Sequence, residues 1–375
     1  MNINLQFKNG EISLKALILI GGFGTRLRPL SCTRPKALFP ILNKPLLQWT
    51  FERLIKNGIR EVILAVSHQA EVFIKQQKIP KNELKITYSR DPIKKPLGTG
   101  GPIKKAEKLV RNESSFLVLN GDIFADIDYK EILKTHEKKK ALATIALHSV
   151  RDPSRYGVAE LTKENRIRTF VEKPSRKLAP TNLINAGVYV LSPKIFEYIP
   201  QGRKVSIERE IFPKLAEEGS IYGHIFNGLW IDIGEPEEFL EINKTLLNST
   251  APLQKHKMRT KGKIEEPVAF DKNVLIGEGS VAGPYAVLGR NVTVGNHVYI
   301  KDSVVFPNAT ISDFSIVNGA IIGENVVIGK KVKINRGCIL GDNVKIEDNV
   351  TLANGVSICP AKEVSKSVLK PKYVV

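Results

Sequence analysis

Short apolar runs alternate with amphipathic segments over residues 15–120. KALILI (Lys15–Ile20), EVILAV (Glu61–Val66) and SFLVLN (Ser115–Asn120) are apolar runs of strand length. LLQWTFERLIKNG (Leu46–Gly58) instead has helical spacing and ends at a glycine. Because buried strands that alternate with amphipathic helices are typical of parallel sheets, the pattern predicts a mostly parallel sheet with helices on both faces.

A different pattern begins at about Leu275. An aliphatic residue recurs every six positions through IGEGSV, AGPYAV, LGRNVT and VGNHVY, and the spacing resumes after a phase break near Asn318. This hexapeptide repeat predicts a left-handed parallel β-helix, whereas ordinary hairpins would alternate with a period of two. The sequence thus predicts an α/β domain at 14–248, a polar linker at 249–268 and a β-helix at 269–363.

The composition is that of a globular protein. Of 375 residues 42% are hydrophobic, the mean hydropathy is −0.12, and no apolar run is long enough to cross a membrane. The N-terminus lacks the apolar stretch of a secretory signal, and the three cysteines and six histidines form no disulfide or zinc pattern. We therefore expect a cytoplasmic protein without membrane association.

Basic residues exceed acidic ones, and the net charge of +19 is spread along the chain. Such an excess indicates an anionic partner, either a phosphorylated metabolite or nucleic acid, or else a solvated basic surface. No nucleic-acid-binding motif accompanies the charge, so we do not expect a nucleic-acid partner.

The loop after the first predicted strand carries the strongest chemical signal. Its sequence is GGFGTRLRPLSCTRPK, Gly21 to Lys36, which we call the signature segment. The glycines let backbone N–H groups approach a phosphate, and Arg26 and Lys36 supply fixed positive charge. The spacing is not that of a Walker A loop. Because ligands bind at the carboxyl ends of parallel strands, we expect the loops after Ile20, Tyr88 and Asn120 to share one site.

Two carboxylates are candidate metal ligands. Asp122 follows a predicted strand, where its side chain can enter the ligand crevice, and Asp232 lies in the apolar run WIDIG. A buried carboxylate requires a compensating cation. Two carboxylates together with substrate phosphates suit Mg²⁺, whereas a structural salt bridge is the alternative.

Several further motifs accompany the signature segment. They are PLGTGG (Pro96–Gly101), VLNGD (Val118–Asp122), YGV (Tyr156–Val158), FVEKP (Phe170–Pro174), NAGVYVLSP (Asn185–Pro193), WIDIG (Trp230–Gly234) and, in the tail, LANGVSICPAKEV (Leu352–Val364). Together these segments resemble the sugar-nucleotide pyrophosphorylase family of nucleotidyltransferases, and the tail resembles the mannose-1-phosphate guanylyltransferase branch of that family.

The resemblance covers about residues 14–365. It implies a Rossmann-like α/β nucleotidyltransferase domain followed by a left-handed β-helix. It also implies that an NTP and a sugar 1-phosphate, with Mg²⁺ as cofactor, give an NDP-sugar and pyrophosphate.

The resemblance implies a role for each motif residue. The catalytic residues would be Arg26, Lys36 and Lys173, and the metal ligands Asp122 and Asp232. The nucleotide would contact Gly21, Gly22, Gly24, Thr25 and Gly98, and the sugar phosphate would contact Gly157, Glu172, Lys173, Asn185 and Gly187. Strand alternation alone would place Glu172 and Lys173 on opposite faces, unless Pro174 bends the strand. Without the family, a surface ion pair would explain these two residues equally well.

The prediction of which base the nucleotide carries depends on Asp91. Guanine presents two adjacent donors that one carboxylate accepts together, whereas uracil and thymine do not. Asp91 is the one carboxylate in SRDPIKK, the segment before PLGTGG, where the family contacts the base. Ile93, Lys94 and Lys95 separate it from that motif, and a turn residue before Pro92 is the alternative explanation.

The sequence therefore predicts nucleotidyl transfer, with GTP and mannose 1-phosphate as the first choice of substrates. A UDP- or dTDP-glucose or N-acetylglucosamine type of pyrophosphorylase is the alternative within the family. A non-catalytic regulatory or scaffold subunit is the alternative of another class, and an acetyltransferase activity of the β-helix has no residue cluster to support it. We expect a homo-oligomer formed through the β-helix.

Overall fold

The computed structural model describes residues 7–8, 11–12, 14–21, 24–76, 83–92, 96–249 and 259–374. The chain divides into two compact units. The first, here called the sheet unit, comprises Met1–Gly21 and Leu47–Asp232; the second, here called the β-helix unit, comprises Gly22–Leu46 and Ile233–Val375. Most of the signature segment therefore belongs to the same unit as the C-terminal repeats, although it lies near the N-terminus.

The elements before the repeats follow the predicted alternation. The strands Lys15–Ile20 and Glu61–Val66 have the bounds expected from sequence, and the first helix ends at Lys56, shortly before the left-handed Gly58. The strands are β1 Phe7–Lys8, β2 Glu11–Ile12, β3 Lys15–Ile20, β4 Pro40–Ile41, β5 Lys44–Pro45, β6 Glu61–Val66, β7 Lys85–Arg90, β8 Phe116–Asn120, β9 Ile123–Ala125, β10 Ala143–Ser149, β11 Gly157–Leu161, β12 Ile167–Glu172, β13 Leu183–Leu191, β14 Ile221–Ile225 and β15 Trp230–Asp232. The helices are α1 Leu46–Lys56, α2 His68–Gln76, α3 Gly100–Lys105, α4 Glu107–Val110, α5 Tyr129–Lys139, α6 Phe212–Glu217 and α7 Pro236–Ser249.

Nine of the described strands form the main sheet of the sheet unit. Their order is β12–β11–β13–β8–β3–β6–β7, with β10 paired to β13 and β14 paired to β10. Strands β8, β3, β6 and β7 are parallel, whereas β13 is antiparallel to β8, β10 and β11. The sheet is therefore mixed: the predicted parallel arrangement is found from β8 to β7 and again between β10 and β14, whereas the other pairs are antiparallel. The remainder differs because the connections after β11 and β12 are short returns rather than helical crossovers.

The centre of this sheet positions a candidate site at its carboxyl edge. Strand β8 is buried from Phe116 to Leu119, and all four residues are apolar, as burial on both faces of a sheet requires. After Asn120 the chain turns at Gly121, where a Cβ atom would lie 2.8 Å from the carbonyl oxygen of Leu19. Only glycine fits this close approach, and the turn delivers the next residue, Asp122, to the edge of the sheet.

The hexapeptide repeats form three parallel sheets, as a left-handed β-helix requires. The sheets contain seven, six and seven of the described strands. Their strands are β16 Arg259–Thr260, β17 Lys263–Ile264, β18 Val268–Phe270, β19 Leu275–Ile276, β20 Val281–Ala282, β21 Ala286–Leu288, β22 Thr293–Val294, β23 Tyr299–Lys301, β24 Val304–Val305, β25 Thr310–Ile311, β26 Ile316–Asn318, β27 Ile321–Ile322, β28 Val327–Ile328, β29 Lys333–Ile334, β30 Ile339–Leu340, β31 Lys345–Ile346, β32 Thr351–Leu352, β33 Ser357–Ile358, β34 Glu363–Val364 and β35 Tyr373–Val374.

Each coil stacks on the next in register. Ile276 pairs with Val294, which is 18 residues later, whereas Val294 pairs with Ile311, only 17 residues later. A coil of 17 residues contains a corner that is one residue shorter than the others. Such a corner follows Asn318 and accounts for the break in the six-residue period of the sequence. The inward aliphatic residues of successive coils form one continuous core, which the six-residue spacing predicted.

The described part of residues 22–46 packs within the β-helix unit. Phe39 from this segment, Phe239 from α7 and Phe306 from the repeats form a buried cluster with edge-on contacts, their ring centroids 5.7 to 6.4 Å apart. Asn243 of α7 also accepts a hydrogen bond from the backbone N–H of Leu42 at 2.8 Å. Over the described ranges, no helix is long and apolar enough to cross a membrane.

Candidate active site

A polar cluster lies in the sheet unit, where strands β11, β12 and β13 approach the turn at residues 207–211. Gly157 and Glu172 are register partners in β11 and β12. A Cβ atom on Gly157 would lie 2.8 Å from Oε2 of Glu172, so glycine leaves the room that this carboxylate occupies. Burial, followed by the charge of Glu208, raises the pKa of Glu172 above its ordinary value. The two carboxylates therefore share one poorly solvated region.

Glu208 is a member of this cluster that sequence reasoning missed. It lies in a single π-helical turn, Ile207–Ile211, and only 9% of its surface is exposed. Its Oε2 atom accepts hydrogen bonds from the hydroxyls of Thr99 at 2.5 Å and Ser206 at 2.7 Å. π-Helical turns are rare and often occur at functional sites. The local sequence gives no sign of such a turn, so Glu208 could not be found from its motif.

Amide and hydroxyl groups complete the cluster. Oδ1 of Asn185 accepts from the backbone N–H of Gly187 at 2.9 Å, and its Nδ2 donates to the hydroxyl of Tyr189 at 3.0 Å. Gly187 has a φ of 71° and lies so close to Asn120 that a Cβ atom would be 2.9 Å from Nδ2 of that residue. Oδ1 of Asn120 is buried and has no hydrogen-bond partner among the described residues. An unsatisfied buried acceptor of this kind is ready for a ligand donor.

Lys173 stands where strand β12 ends. Its φ of 53° is in the left-handed region, which is costly for a residue other than glycine, and its backbone N–H donates to Tyr156 at 3.0 Å. The turn breaks the strand alternation, and Nζ of Lys173 lies 3.9 Å from Oε1 of Glu172. The alternation of a regular strand therefore does not apply to Glu172 and Lys173, because the strand ends at Glu172.

The two proposed metal ligands are neighbours in the structure. Asp232 is the register partner of Ile123 in the antiparallel pair β15–β9, and Asp122 immediately precedes Ile123. Both side chains are partly exposed. In the part of the chain that the structure describes, no group of three or more His, Cys, Asp or Glu side chains is arranged to hold a metal. A cation bound here would therefore need further oxygen ligands from substrates or water.

Asp91 follows β7 and faces the first residue of the signature segment. Its Oδ2 atom lies 3.4 Å from the position of a Cβ atom on Gly21. The other carboxylate oxygen, Oδ1, is buried without a hydrogen-bond partner among the described residues. Burial raises the pKa of Asp91, and the charge of Lys105 opposes that rise. The carboxyl group thus has an acceptor that the described protein does not satisfy.

Gly98 has a structural reason to be glycine. Its φ is 73°, and a Cβ atom would lie 2.3 Å from the carbonyl oxygen of Val205, with which it forms a parallel bridge. The bridge joins the PLGTGG motif to the segment that carries Glu208. Gly98 therefore shapes the polar cluster whether or not a nucleoside contacts it.

Apart from Gly21, the described part of the signature segment, residues 24–36, belongs to the β-helix unit. Gly24 has a φ of 57° and precedes a 3-10 turn, Thr25–Leu27, and the Lys36 side chain packs over it. Nη1 of Arg26 lies 3.1 Å from Oε1 of Glu235, with half of the Arg26 side chain exposed. Gly22 lies outside the described residues. The structure thus brings Gly157, Glu172, Lys173, Asn185 and Gly187 together in one unit and Gly24, Thr25, Arg26 and Lys36 together in the other.

Family models match both parts of the chain. The model described as nucleotidyl transferase matches residues 15–249, and the one described as GMPPB C-terminal domain matches residues 264–374. The chain therefore belongs to the nucleotidyl transferase family.

Curated relatives of this chain are similar to it over most of its length. The mannose-1-phosphate guanylyltransferase catalytic subunit beta of Danio rerio is 41% identical over 267 residues, which are 71% of this chain and 73% of the relative. Mannose-1-phosphate guanylyltransferase 1 of Arabidopsis thaliana is 40% identical over 276 residues, which are 72% of this chain and 75% of the relative. The chain is thus similar to guanylyltransferases over most of their length.

Solved structures support the fold of the sheet unit. HddC from Yersinia pseudotuberculosis matches with a TM-score of 0.54 at 32% identity and covers 62% of this chain and 99% of its own. A UDP-glucose pyrophosphorylase complexed with UDP-glucose matches with a TM-score of 0.55 at 24% identity and covers 63% of this chain and 99% of its own. The second likeness shows the fold alone.

Proposed function

We propose that this protein transfers GMP from GTP to a sugar 1-phosphate, releasing pyrophosphate, and that the sugar is mannose. The curated relatives in Danio rerio and Arabidopsis thaliana carry the name mannose-1-phosphate guanylyltransferase, and HddC has been solved in complex with GMP-PN. The observation that carries the guanine assignment is Asp91, whose buried Oδ1 has no partner among the described residues. Its carboxylate would accept both the N1–H and the 2-amino group of guanine.

The reaction requires positioning more than proton transfer. An oxygen of the sugar phosphate attacks the α-phosphorus of GTP, and the bond to the β-phosphate breaks so that pyrophosphate leaves in line. The attacking phosphate is already anionic at neutral pH, so no general base is needed. Arg26 and Lys36 would bind the β- and γ-phosphates and stabilise the leaving group, while Lys173 would hold the attacking phosphate.

The polar cluster would bind the sugar. Glu172 and Glu208 supply acceptors for sugar hydroxyls, and Asn185 fixes the loop at Gly187. The left-handed turn at Lys173 brings its ammonium group within 3.9 Å of Glu172, so the cluster contains a cation beside its carboxylates. This combination suits a molecule that carries both a phosphate and hydroxyl groups.

A divalent metal ion fits the carboxylates at the edge of β9. Nucleotidyl transferases of this family use one. We propose Mg²⁺ on Asp122 and Asp232, because two protein oxygens in adjoining strands leave the positions that phosphates and water fill around this ion. When bound, the ion would neutralise phosphate charge and polarise the α-phosphate.

The β-helix would serve in assembly. Over its described residues, 259–374, it has no group of three or more His, Cys, Asp or Glu side chains arranged to hold a metal, and we propose that it joins copies of this chain into a homo-oligomer. Sedimentation of the intact chain over a range of concentrations tests this, and a monomer at every concentration would contradict it.

A substrate matrix tests the proposed reaction. Purified protein is incubated with GTP, UTP, dTTP, ATP or CTP, each with mannose, glucose or N-acetylglucosamine 1-phosphate, and pyrophosphate release is measured. We expect GTP with mannose 1-phosphate to give the highest kcat/KM. A preference for UTP or dTTP would reject the guanine assignment, and no release with any pair would favour the regulatory subunit.

A further inference from the structure

The signature segment is bound to the β-helix through Arg34. Nη2 of this arginine donates to Oδ2 of Asp342 at 2.6 Å and to Oε2 of Glu324 at 2.8 Å. The neighbouring Thr33 hydroxyl lies 2.6 Å from the same oxygen of Asp342. Two carboxylates from successive coils therefore converge on the segment two residues before Lys36.

The contact is well shielded from water. The side chains of Arg34 and Asp342 are 15% and 7% exposed, and that of Glu324 is 29% exposed. The guanidinium carbon of Arg34 also lies 5.0 Å from the ring centre of the buried Phe306. Charge pairs at such positions are screened less than surface pairs, and the aromatic face adds attraction for the cation.

Asp342 has two separate tasks, one on each oxygen. Its Oδ1 atom accepts from the backbone N–H of Glu324 at 2.7 Å, which is a corner bond of the β-helix. Asp348 makes the same corner bond to Lys330 at 2.7 Å, and Asn296 makes it to Glu278 at 2.9 Å. An asparagine side chain can therefore accept the corner hydrogen bond as an aspartate does. The second oxygen of Asp342 is the one that Arg34 and Thr33 use.

We propose that Asp342 is a positioning residue for nucleotidyl transfer, acting through Arg34 on the signature segment. The β-helix would then do more than assemble copies of the chain: its carboxylates would hold the segment that presents Arg26 and Lys36 to the triphosphate. A misplacement of about 1 Å in such groups costs on the order of a hundredfold in rate. The inference rests on the proposed role of the signature segment.

The substitution Asp342→Asn separates the two tasks. Asparagine keeps the corner bond but places an NH₂ group against the donors of Arg34 and Thr33. We expect kcat for pyrophosphate release to fall about ten- to a hundredfold. KM for GTP should rise while KM for mannose 1-phosphate stays within twofold, because the proposed sugar residues belong to the sheet unit. Hydrogen–deuterium exchange should increase in peptides from residues 24–42 without substrate.

The matched control is Asp348→Asn, which makes the same change at a corner without a contact to Arg34 among the described residues. We expect its kinetics and exchange to match the parent. Arg34→Met should lose activity as Asp342→Asn does, and the double variant should lose no more than the larger single loss. If Asp342→Asn does not fold, Glu324→Gln, which weakens only the second carboxylate contact, provides the same measurements and should lose three- to tenfold in kcat.

Four results would overturn the inference: parent-like kinetics in Asp342→Asn, equal losses in Asp348→Asn, additive losses in the double variant, or unchanged exchange at residues 24–42. Arg26→Ala and Lys36→Met test the role of the segment separately. If both retain full activity, the proposed function of the segment fails. If both are inactive while Asp342→Asn is normal, only the positioning role of Asp342 fails.

Discussion

Two pairs of carboxylates in this molecule are arranged in opposite ways. In the β-helix unit, Glu324 and Asp342 share one arginine at hydrogen-bond distance. In the sheet unit, Glu172 and Glu208 repel each other, and Glu172 forms a loose ion pair with Lys173, at 3.9 Å and with half of the Lys173 side chain exposed.

We infer from this difference that Glu324 and Asp342 have a structural task, whereas Glu172 is a candidate for binding a ligand. A carboxylate removed from water loses free energy unless donors or cations replace the water. Arg34 provides that replacement for Glu324 and Asp342. The pKa of Glu172 is raised because protein donors and cations replace its lost water only in part, and a sugar hydroxyl would supply a missing donor. Carboxylates of the first kind hold segments together, whereas those of the second kind await a ligand.

The strongest test applies this distinction to the proposed metal ligands. We expect Asp232→Asn to abolish transfer, by more than a thousandfold in kcat, because loss of a metal ligand removes charge neutralisation at the phosphates. Circular dichroism and thermal unfolding should show an intact fold. Pyrophosphate release is measured over a series of Mg²⁺ concentrations, and near-normal turnover at saturating Mg²⁺ would contradict the assignment.

Asp126 is the matched control for Asp232. It is close in sequence to Asp122, but its carboxylate is mostly exposed and lies 3.5 Å from Nη2 of Arg53. Because the Asp126 carboxylate is mostly solvated, its ion pair contributes little, and Asp126→Asn should change kcat less than about threefold. A large loss in both variants would mean that any charge change near β9 is harmful.

Substitution of Arg26 tests the proposed role of a cation, rather than a carboxylate, in the reaction. We expect Arg26→Ala to lose about a thousandfold in kcat, the order of a contact that stabilises transition-state charge. Its ion pair with Glu235 offers a structural explanation instead. Glu235→Gln removes that pair and keeps the arginine, and it should retain most activity. A loss in Arg26→Ala confined to KM would mean that Arg26 binds only the ground-state triphosphate.

Glu172 should show opposite effects on activity and stability. Replacing it by glutamine should cost about 1.5–3 kcal/mol in kcat/KM for the sugar phosphate, the range for a hydrogen bond to a charged group. The variant should nevertheless have a higher Tm at pH 8. The raised pKa means that the folded state holds the proton more tightly, so stability present below the ordinary pKa of 4.5 is lost as pH rises through the folded value.

Thermal unfolding of Glu172→Gln and the parent from pH 4 to pH 8 measures this. The two curves should converge at low pH and separate as pH rises. If the variant is instead less stable at pH 8, Glu172 is a structural residue like Asp342. Glu160→Gln provides a control, because Glu160 pairs with Thr169 on a more exposed part of β11.

Sequence predicted the parts of this molecule that depend on periodicity. The six-residue period predicted the parallel sheets of the repeats, and the apolar runs predicted β3 and β6 with their bounds. Glu208 was missed because a π-helical turn leaves no period in the sequence. The contacts of Arg34 were missed because they join residues about 300 positions apart. The antiparallel half of the main sheet was missed because a strand's sequence does not state the direction of its neighbour.

The smallest effect concerns selectivity rather than rate. Asp91 has a buried oxygen without a partner among the described residues, so it belongs with Glu172 rather than with Asp342. We expect Asp91→Ala to lower kcat/KM for GTP by about 1–3 kcal/mol and to change the slow use of UTP little, because only guanine offers two adjacent donors. Its raised pKa adds a second signature: GTP use should decline before UTP use as pH falls, since the protonated carboxyl loses an acceptor.

Asp91→Asn sharpens this test, because it preserves shape and exchanges one acceptor for a donor. It should discriminate against GTP at least as strongly as alanine does, and its kcat/KM for GTP should no longer decline ahead of that for UTP at low pH. Equal losses for both nucleotides would make Asp91 a turn residue before Pro92, with Oδ2 against Gly21 for packing alone. In that case a buried carboxylate oxygen without a hydrogen-bond partner would not be enough to identify a ligand-binding residue. The distinction between structural and ligand-binding carboxylates would then hold only where a second acidic group is nearby.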